Sequence, residues 1–167
     1  MARWVIDVGA GRGELICLSA RRTKILKIVA VEPLTAMYDL IVEHLRINGL
    51  LNDPRISILT KYVSSVPNKN IDTVLLDSID VPVGEHGFLK IDVDGAEMDV
   101  LMSGQQLLKK WPVDVLVETH SQVLEKSCAD FLKKLGYKVE LIKNAWWRFI
   151  LPEQRPIEHN RWLCGYK

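Results

Sequence analysis

WVIDVGAGRGE, residues 4–14, decides the fold of this chain. Its opening apolar run is typical of a parallel strand that is buried on both faces of a sheet. Glycines at positions 9, 11 and 13 follow at once, and glycine there permits a tight turn and a close approach of ligand to backbone. The stretch therefore predicts a first strand that opens into a ligand-binding loop and then a helix, over about residues 12–22.

Strand and helix patterns alternate along the rest of the chain. Strands are predicted at residues 26–33, 56–63, 73–79, 88–95, 113–120 and 137–143, and helices at 35–48, 96–110 and 121–135. This alternation implies right-handed crossovers and a mostly parallel sheet with helices on both faces. We expect one α/β domain of residues 1–167, with its ligand at the carboxyl ends of the strands.

Composition excludes several classes of protein. Hydrophobic residues make up 48% of the chain and charged residues 26%, as in ordinary globular proteins. A net charge of +1 gives no global basic field for nucleic acid. No apolar run approaches the ~20 residues of a membrane span, and Asp7 interrupts any signal peptide. The widely spaced Cys17, Cys128 and Cys164 are predicted to be buried, reduced thiols of a cytoplasmic protein.

Two acids near the glycine loop indicate which ligand it binds. A dinucleotide fingerprint needs glycine at position 14, which is Glu14, and Asp7 would repel a pyrophosphate. S-adenosylmethionine instead carries an ammonium, a carboxylate and a sulfonium, and no phosphate. Asp7 could hold its ammonium, and Glu32 at the end of the second strand could accept the ribose hydroxyls. The alternative is a structural turn with a capping acid.

KIDVDGAE, residues 90–97, is the second informative stretch. Lys90 and Asp92 share one face of the strand, because side chains alternate there. A lysine in a buried strand is costly unless it is paired, so we expect Asp92 to be its partner. Asp92 also ends the strand and is predicted to face the transferred methyl. Asp94 and Glu97 flank the next helix start, where carboxylates act as caps, and we interpret them so.

VETHS, residues 117–121, ends the following strand. Glu118 and His120 share a face and would adjoin Asp92 if the two strands are neighbours. We predict that Asp92 or His120 accepts a proton, with Lys90 as the partner of Asp92 and Glu118 orienting His120 or the acceptor. A structural role for His120 is the alternative. Asp92, Glu118 and His120 could also hold a hard divalent ion, but their spacing does not require one and no metal is predicted.

Together these segments resemble the FkbM-type methyltransferases, class I enzymes that use S-adenosylmethionine. The resemblance runs through VIDVGAGRGE, VAVEP, YVSS, TVLLDSI, KIDVDGAE, VETH and RWLCGYK. It implies a Rossmann-like class I fold, with a mostly parallel seven-stranded sheet, an antiparallel last strand and methyl transfer to a hydroxyl. The cofactor-binding residues that it implies are Asp7, Gly9, Ala10, Gly11 and Gly13 at the methionine, Glu32 and Pro33 at the ribose, and Ser64 and Ser65 near the adenine.

Three features depart from the family pattern. Family members often have Glu at the position of Asp94. An acid often follows the third strand, where this chain has Ser64 and Ser65. The sequence also begins at the first strand, without the N-terminal segment that often helps to cover the substrate.

A tryptophan-rich segment, residues 144–160, follows a predicted parallel strand and should emerge on the ligand side of the sheet. It contains Trp146, Trp147, Arg148 and Arg155. Aromatic rings with arginines can stack on sugars or bases. The alternative is that these rings pack into the core or into a homodimer interface.

These patterns favour a methyltransferase that uses S-adenosylmethionine and acts on a hydroxyl of a sugar or small metabolite. RNA is the rival acceptor, and a non-catalytic cofactor-binding subunit is the rival class of protein. A nicotinamide oxidoreductase is disfavoured by Asp7 and Glu14. No membrane partner is expected.

Overall fold

A seven-stranded sheet organises the computed structural model, which describes residues 1–66, 70–142, 159 and 161–167. Its strands are β1 (Trp4–Val8), β2 (Lys27–Val31), β3 (Ile56–Leu59), β6 (Gly87–Ile91), β7 (Val113–Thr119), β8 (Lys138–Ile142) and β9 (Arg161–Tyr166). The helices are α1 (Glu14–Ala20), α2 (Thr35–Ile47), α3 (Glu97–Ser103), α4 (Gln105–Lys110) and α5 (Gln122–Lys134). A separate two-stranded sheet joins β4 (Tyr62–Val63) to β5 (Thr73–Val74).

The strand order of the large sheet is β3-β2-β1-β6-β7-β9-β8. Neighbours from β3 to β7 pair in parallel, whereas β9 is antiparallel to both β7 and β8. This confirms the predicted mostly parallel sheet with an antiparallel last strand. The chain runs outward from β1 to β2 on one side and later to β6 on the other, so the ligand crevice is expected beyond the carboxyl end of β1.

Alternate residues of β1 pack on opposite faces of the sheet. Val5 belongs to a core cluster with Ile16 of α1 and Ile41 of α2, while Ile6 belongs to a second cluster with Leu101 of α3. The second cluster also takes in α4 and α5 through Leu108 and Leu132. Helices therefore cover both faces, which explains why all of β1 is buried.

Two further findings bear on the sequence analysis. Cys17 and Cys128 are buried as expected, but Cys164 is only half-buried, because it lies on β9 near the edge of the sheet. Among the described residues, no helix is both long enough and apolar enough to cross a membrane.

The predicted third strand over residues 56–63 is wrong as one element. It splits into β3 and β4, because β2 ends at Val31 and gives β3 no partner beyond Leu59. The last ladder bond runs from Glu32 N to Leu59 O at 3.0 Å. The chain then leaves the sheet, and Tyr62–Val63 pairs with Thr73–Val74 instead.

The single helix predicted over residues 96–110 is also wrong. It breaks between α3 and α4, because the carboxylate of Asp77 accepts Leu107 N at 2.7 Å and Gln106 N at 3.1 Å and starts a new helix there. Asp77 lies in a 3-10 turn, Leu76–Ser78. The strand predicted over residues 73–79 therefore ends after Val74.

Candidate functional site

The glycine loop leaves β1 under tight steric constraint. Gly9 has φ +72°, and a Cβ there would lie 1.8 Å from the carbonyl oxygen of Asp92. Gly11 has φ +53°, and its missing Cβ would meet no atom within 4 Å. The loop is therefore packed against the end of β6 at Gly9 but open at Gly11, which is where a ligand can approach the backbone.

Glu32 holds this loop from the neighbouring strand end. Its side chain is buried, with 6% of the residue exposed. Oε2 accepts the N–H of Gly11 at 3.0 Å, and Oε1 accepts the N–H of Leu34 at 3.1 Å. Each carboxylate oxygen has a further lone pair, so Glu32 can still accept hydroxyl protons from a ligand. Its contact with Gly11 is a positioning role that the sequence did not indicate.

Lys90 links the carboxyl ends of β1 and β6. Its Nζ donates to the carbonyl oxygen of Gly9 at 2.9 Å and lies 3.2 Å from Asp7 Oδ1 and 3.1 Å from Asp92 Oδ2. The expected pairing with Asp92 is present, and Asp7 shares it because Asp7 and Lys90 are partners in the β1–β6 register. Lys90 therefore places one positive charge between two carboxylates and ties β6 to the glycine loop.

Asp7 is a buried carboxylate whose pKa is raised. Only 1% of the residue is exposed, and burial raises its pKa to about 6, although the nearby Lys90 charge acts in the opposite direction. A second cation beside Asp7 would favour its ionised form. The position therefore suits a ligand ammonium better than a phosphate.

His120 follows β7 directly and lies between several acids. Its Nδ1 is 2.5 Å from Oε1 of the fully buried Glu97, and its Nε2 is 3.6 Å from Oδ1 of the exposed Asp94. Burial lowers the pKa of His120, but the bond to Glu97 and the charges of Glu97, Glu118 and Asp94 outweigh it, so the pKa is raised overall. The carboxylate bonded to the ring is that of Glu97, which the sequence had suggested only as a cap.

The ends of β6 and β7 bring three predicted residues together. Ligand atoms of Asp92, Glu118 and His120 all lie within 4.8 Å of one another. This follows from the parallel pairing of β6 with β7, which the sequence analysis required for their contact. The arrangement suits proton transfer at the cleft, and the same donors could coordinate a hard divalent ion.

Asp99 was missed by the sequence analysis. Ser64 and Ser65 follow β4, where the family pattern often has an acid. Asp99 reaches this turn from α3, and its Oδ1 accepts the N–H of Ser65 at 3.0 Å and the Ser65 hydroxyl. Burial alone would raise the pKa of Asp99, but hydrogen bonds from Ser65 and Ser64 lower it overall. The contact spans 34 residues of sequence, so no local motif signals it.

The remaining predicted residues complete the loop or lie beyond the described chain. Ala10 is buried and donates its N–H to Val31 O at 3.3 Å. Pro33 is half-buried directly after Glu32. The tryptophan-rich segment with Trp146, Trp147, Arg148 and Arg155 lies outside the described residues, so its predicted role in acceptor binding stays a prediction.

Comparison with known proteins finds one family model that matches about half of the chain. Residues 58–139 match the model of the methyltransferase FkbM domain. The predicted resemblance to the FkbM-type methyltransferases is confirmed. The matched segment contains the strand ends with Asp92 and His120, whereas the glycine loop lies before it. No curated protein shows significant sequence similarity to the chain.

Solved methyltransferase structures share the fold. Methyltransferase FkbM from Methylobacillus flagellatus KT superposes with a TM-score of 0.78 at 16% identity, covering 99% of this chain and 44% of that chain. Precorrin-6y C5,15-methyltransferase from Geobacter metallireducens GS-15 gives 0.64 at 15% identity, covering 99% and 80%. An S-adenosylmethionine-dependent O-methyltransferase from Thermotoga maritima gives 0.61 at 15% identity, covering 99% and 59%. This chain thus spans less than half of the length of the Methylobacillus protein.

Proposed function

We propose that this FkbM-type domain binds S-adenosylmethionine and transfers its methyl to a hydroxyl of a sugar or small metabolite. The observation that carries the proposal is the pair of buried carboxylates, Asp7 and Glu32, on either side of the glycine loop that is open at Gly11. Asp7 would hold the ammonium, the open loop the ligand carboxylate, and Glu32 the ribose hydroxyls. The family match and the shared fold support the same cofactor.

The transfer is an in-line displacement at a sulfonium. An acceptor oxygen forms a bond to the methyl carbon while the carbon–sulfur bond breaks and leaves its electron pair on sulfur. The acceptor proton moves to a base, so the positive charge passes from sulfur to that base or is neutralised there. Asp92 and His120 lie where β6 and β7 end, and either can accept the proton. Glu118 would stabilise a protonated His120 through its charge.

The need to remove a proton from the acceptor indicates which class of acceptor the site suits. An alcohol loses its proton only as the bond to methyl forms, so a base beside the methyl favours a hydroxyl acceptor. RNA remains the rival acceptor, but a net charge of +1 gives it no electrostatic support. A non-catalytic subunit would use the same cofactor pocket without any need for the base.

Calorimetry with the demethylated cofactor, S-adenosylhomocysteine, tests the first part. We expect binding of S-adenosylhomocysteine and S-adenosylmethionine, no binding of NAD, and weaker binding by Glu32→Ala. Heat from NAD with none from the adenosyl compounds would overturn the cofactor assignment.

Methyl transfer tests the second part. The protein is incubated with isotope-labelled S-adenosylmethionine and, separately, with pools of sugars, small alcohols, phenols and RNA, and the label is located by mass spectrometry. Label on a hydroxyl of a sugar or small metabolite supports the proposal. Label on RNA alone would show that RNA is the methyl acceptor instead. Tight cofactor binding with no labelled product from any pool would instead identify a binding module.

A further inference from the structure

Glu97 is a buried carboxylate that helix capping does not explain. It is the first residue of α3, and none of its surface is exposed. The local capping contact, from Gly95 N to Oε1, is long at 3.4 Å. The short contact of Oε1 runs to His120 Nδ1 at 2.5 Å, and Oε2 has no hydrogen-bond partner among the described residues. Removing a carboxylate from water is costly, so its one short contact is the feature that accounts for its position.

This contact decides which nitrogen of His120 carries the proton. A carboxylate can only accept, so Nδ1 must donate to Glu97, and the ring of neutral His120 then has its lone pair on Nε2. Nε2 lies 3.6 Å from Oδ1 of the exposed Asp94, in the turn before α3. An unconstrained neutral histidine favours the opposite tautomer, with the proton on Nε2. In that tautomer Nε2 has no free lone pair and could not accept a proton from the acceptor.

We propose that Glu97 is a positioning residue that holds His120 in the Nδ1–H tautomer and leaves Nε2 unprotonated, so that it can accept a proton beside the end of β7. The acids that face the ring are Glu97 from α3, Asp94 from the turn before it, Glu118 from β7 and Asp92 from the end of β6. Of these, Glu97 is the one that bonds Nδ1. For catalysis the inference rests on the proposed function, because only there does Nε2 take the acceptor proton.

In the proposed methyl transfer, the imidazole ring of His120 takes up the acceptor proton. The acceptor O–H bond breaks and its proton forms a bond to Nε2, while the acceptor oxygen takes the methyl and sulfur keeps the electron pair. His120 becomes an imidazolium with both nitrogens protonated, and its Nδ1–H faces the carboxylate of Glu97. Loss of Glu97 should therefore lower the rate through the orientation and charge of the ring, without touching the cofactor.

The test combines nitrogen NMR with kinetics on the full chain. Protein labelled with 15N-histidine is studied above the pKa of His120, and the His120 signals are assigned by their loss in His120→Asn. We expect protonated Nδ1 and unprotonated Nε2 in the wild type. Glu97→Leu, similar in volume and apolar, should shift His120 to the Nε2–H tautomer, while Glu97→Gln, whose amide oxygen can still accept, should keep much of the wild-type pattern.

Asp77→Asn is the matched control, because Asp77 caps α4 in the way once expected of Glu97 for α3. It should lower the melting temperature and leave the His120 tautomer unchanged. Far-ultraviolet circular dichroism confirms that each variant is folded, and the tautomer of the wild type remains the test if Glu97→Leu does not fold. An Nε2–H tautomer in the wild type, or an unchanged tautomer in folded Glu97→Leu, would overturn the proposal.

Kinetics separate this inference from the proposed function. With an acceptor in hand, Glu97→Leu should lower kcat by up to the ~10²–10⁴-fold that a general base contributes, with KM for the cofactor nearly unchanged, and Glu97→Gln should recover part of the loss. Wild-type kcat in Glu97→Leu would overturn the catalytic part. If the tautomer is as expected but the wild type methylates nothing, the proposed function fails while the positioning by Glu97 stands.

Discussion

Replacing Asp7 with asparagine should change the pH dependence of stability in a specific way. Burial raises the pKa of Asp7 from its ordinary 3.8 to about 6. This difference corresponds to about 3 kcal/mol, at about 1.4 kcal/mol per pH unit. The folded state holds the proton more tightly than the unfolded state, so the stabilising contribution is complete below pH 3.8 and is lost as the pH rises through about 6.

Asparagine does not titrate, so Asp7→Asn should lack this loss. The free energy of unfolding of the variant, minus that of the wild type, should increase by about 2 kcal/mol between pH 4 and pH 8. Comparing the two pH values cancels any pH-independent effect of the amide, such as a weaker contact with Lys90. Urea unfolding, followed by circular dichroism at one-unit pH steps, gives this difference directly.

The control is Asp80→Asn, whose side chain is 90% exposed and pairs with Lys27 on the surface. Its difference from the wild type should stay within about 0.5 kcal/mol across the same range. A flat difference for Asp7→Asn as well would show that Asp7 carries no burial cost when ionised, and the assignment of its raised pKa would be refuted.

The same variant links stability to the ligand. An ammonium beside Asp7 should bind the ionised carboxylate, so wild-type affinity for S-adenosylhomocysteine should rise as the pH increases through about 6. Asp7→Asn should bind more weakly and without that pH dependence, as measured by calorimetry. An equal pH dependence in both proteins would remove Asp7 from the ligand contacts.

Three other predictions concern the cofactor, the base and a metal. Glu32→Ala should weaken S-adenosylhomocysteine binding by roughly 1.5–3 kcal/mol for each charged hydrogen bond lost, and unchanged calorimetric affinity would exclude Glu32 from the site. If Asp92 or His120 is the base, its replacement in Asp92→Asn or His120→Ala should slow single-turnover methylation by about 10²–10⁴-fold and leave cofactor affinity nearly intact. Wild-type rates from both variants would show that neither residue is the base and would leave positioning of the substrates as the source of catalysis. Because the pKa of His120 is raised, the wild-type rate should increase with pH through a value above 6.5, and His120→Ala should abolish that increase. Removal of divalent ions with EDTA should leave methylation unchanged, since Asp92 already has a cationic partner in Lys90, whereas activity lost to EDTA and restored by added Mg²⁺ would establish a metal role for Asp92 and His120.

Much of the architecture could be predicted from local sequence. The apolar run of β1 indicated a strand buried on both faces, and the alternation of strand and helix patterns indicated a mostly parallel sheet with helices on both faces. The errors fell where a partner from elsewhere decided the outcome. The third strand stopped at Leu59 because β2 offered no further partner, and the helix after β6 broke because Asp77 capped a second one.

The candidate site shows the same division. Residues at strand ends, such as Asp7, Glu32, Asp92 and His120, could be selected from sequence because parallel strands present their carboxyl ends at one edge. Their partners could not, apart from Lys90 and Asp92, which are two residues apart on one face of a strand. Glu97 reaches His120 across 23 residues and Asp99 reaches Ser65 across 34, and no periodic pattern encodes such contacts.

The sequence by itself determined the order of the elements, the buried faces and the strand-end residues available for chemistry. These follow from periodicity and from the backbone requirements of glycine, which are properties of neighbouring residues. Only the tertiary structure decided which acid bonds His120, which cation pairs with Asp7, and which side chain contacts the serines after β4. Those pairings depend on strand register and helix position in three dimensions, where a buried charge is stabilised by whichever opposite charge or donor the fold brings within about 3 Å.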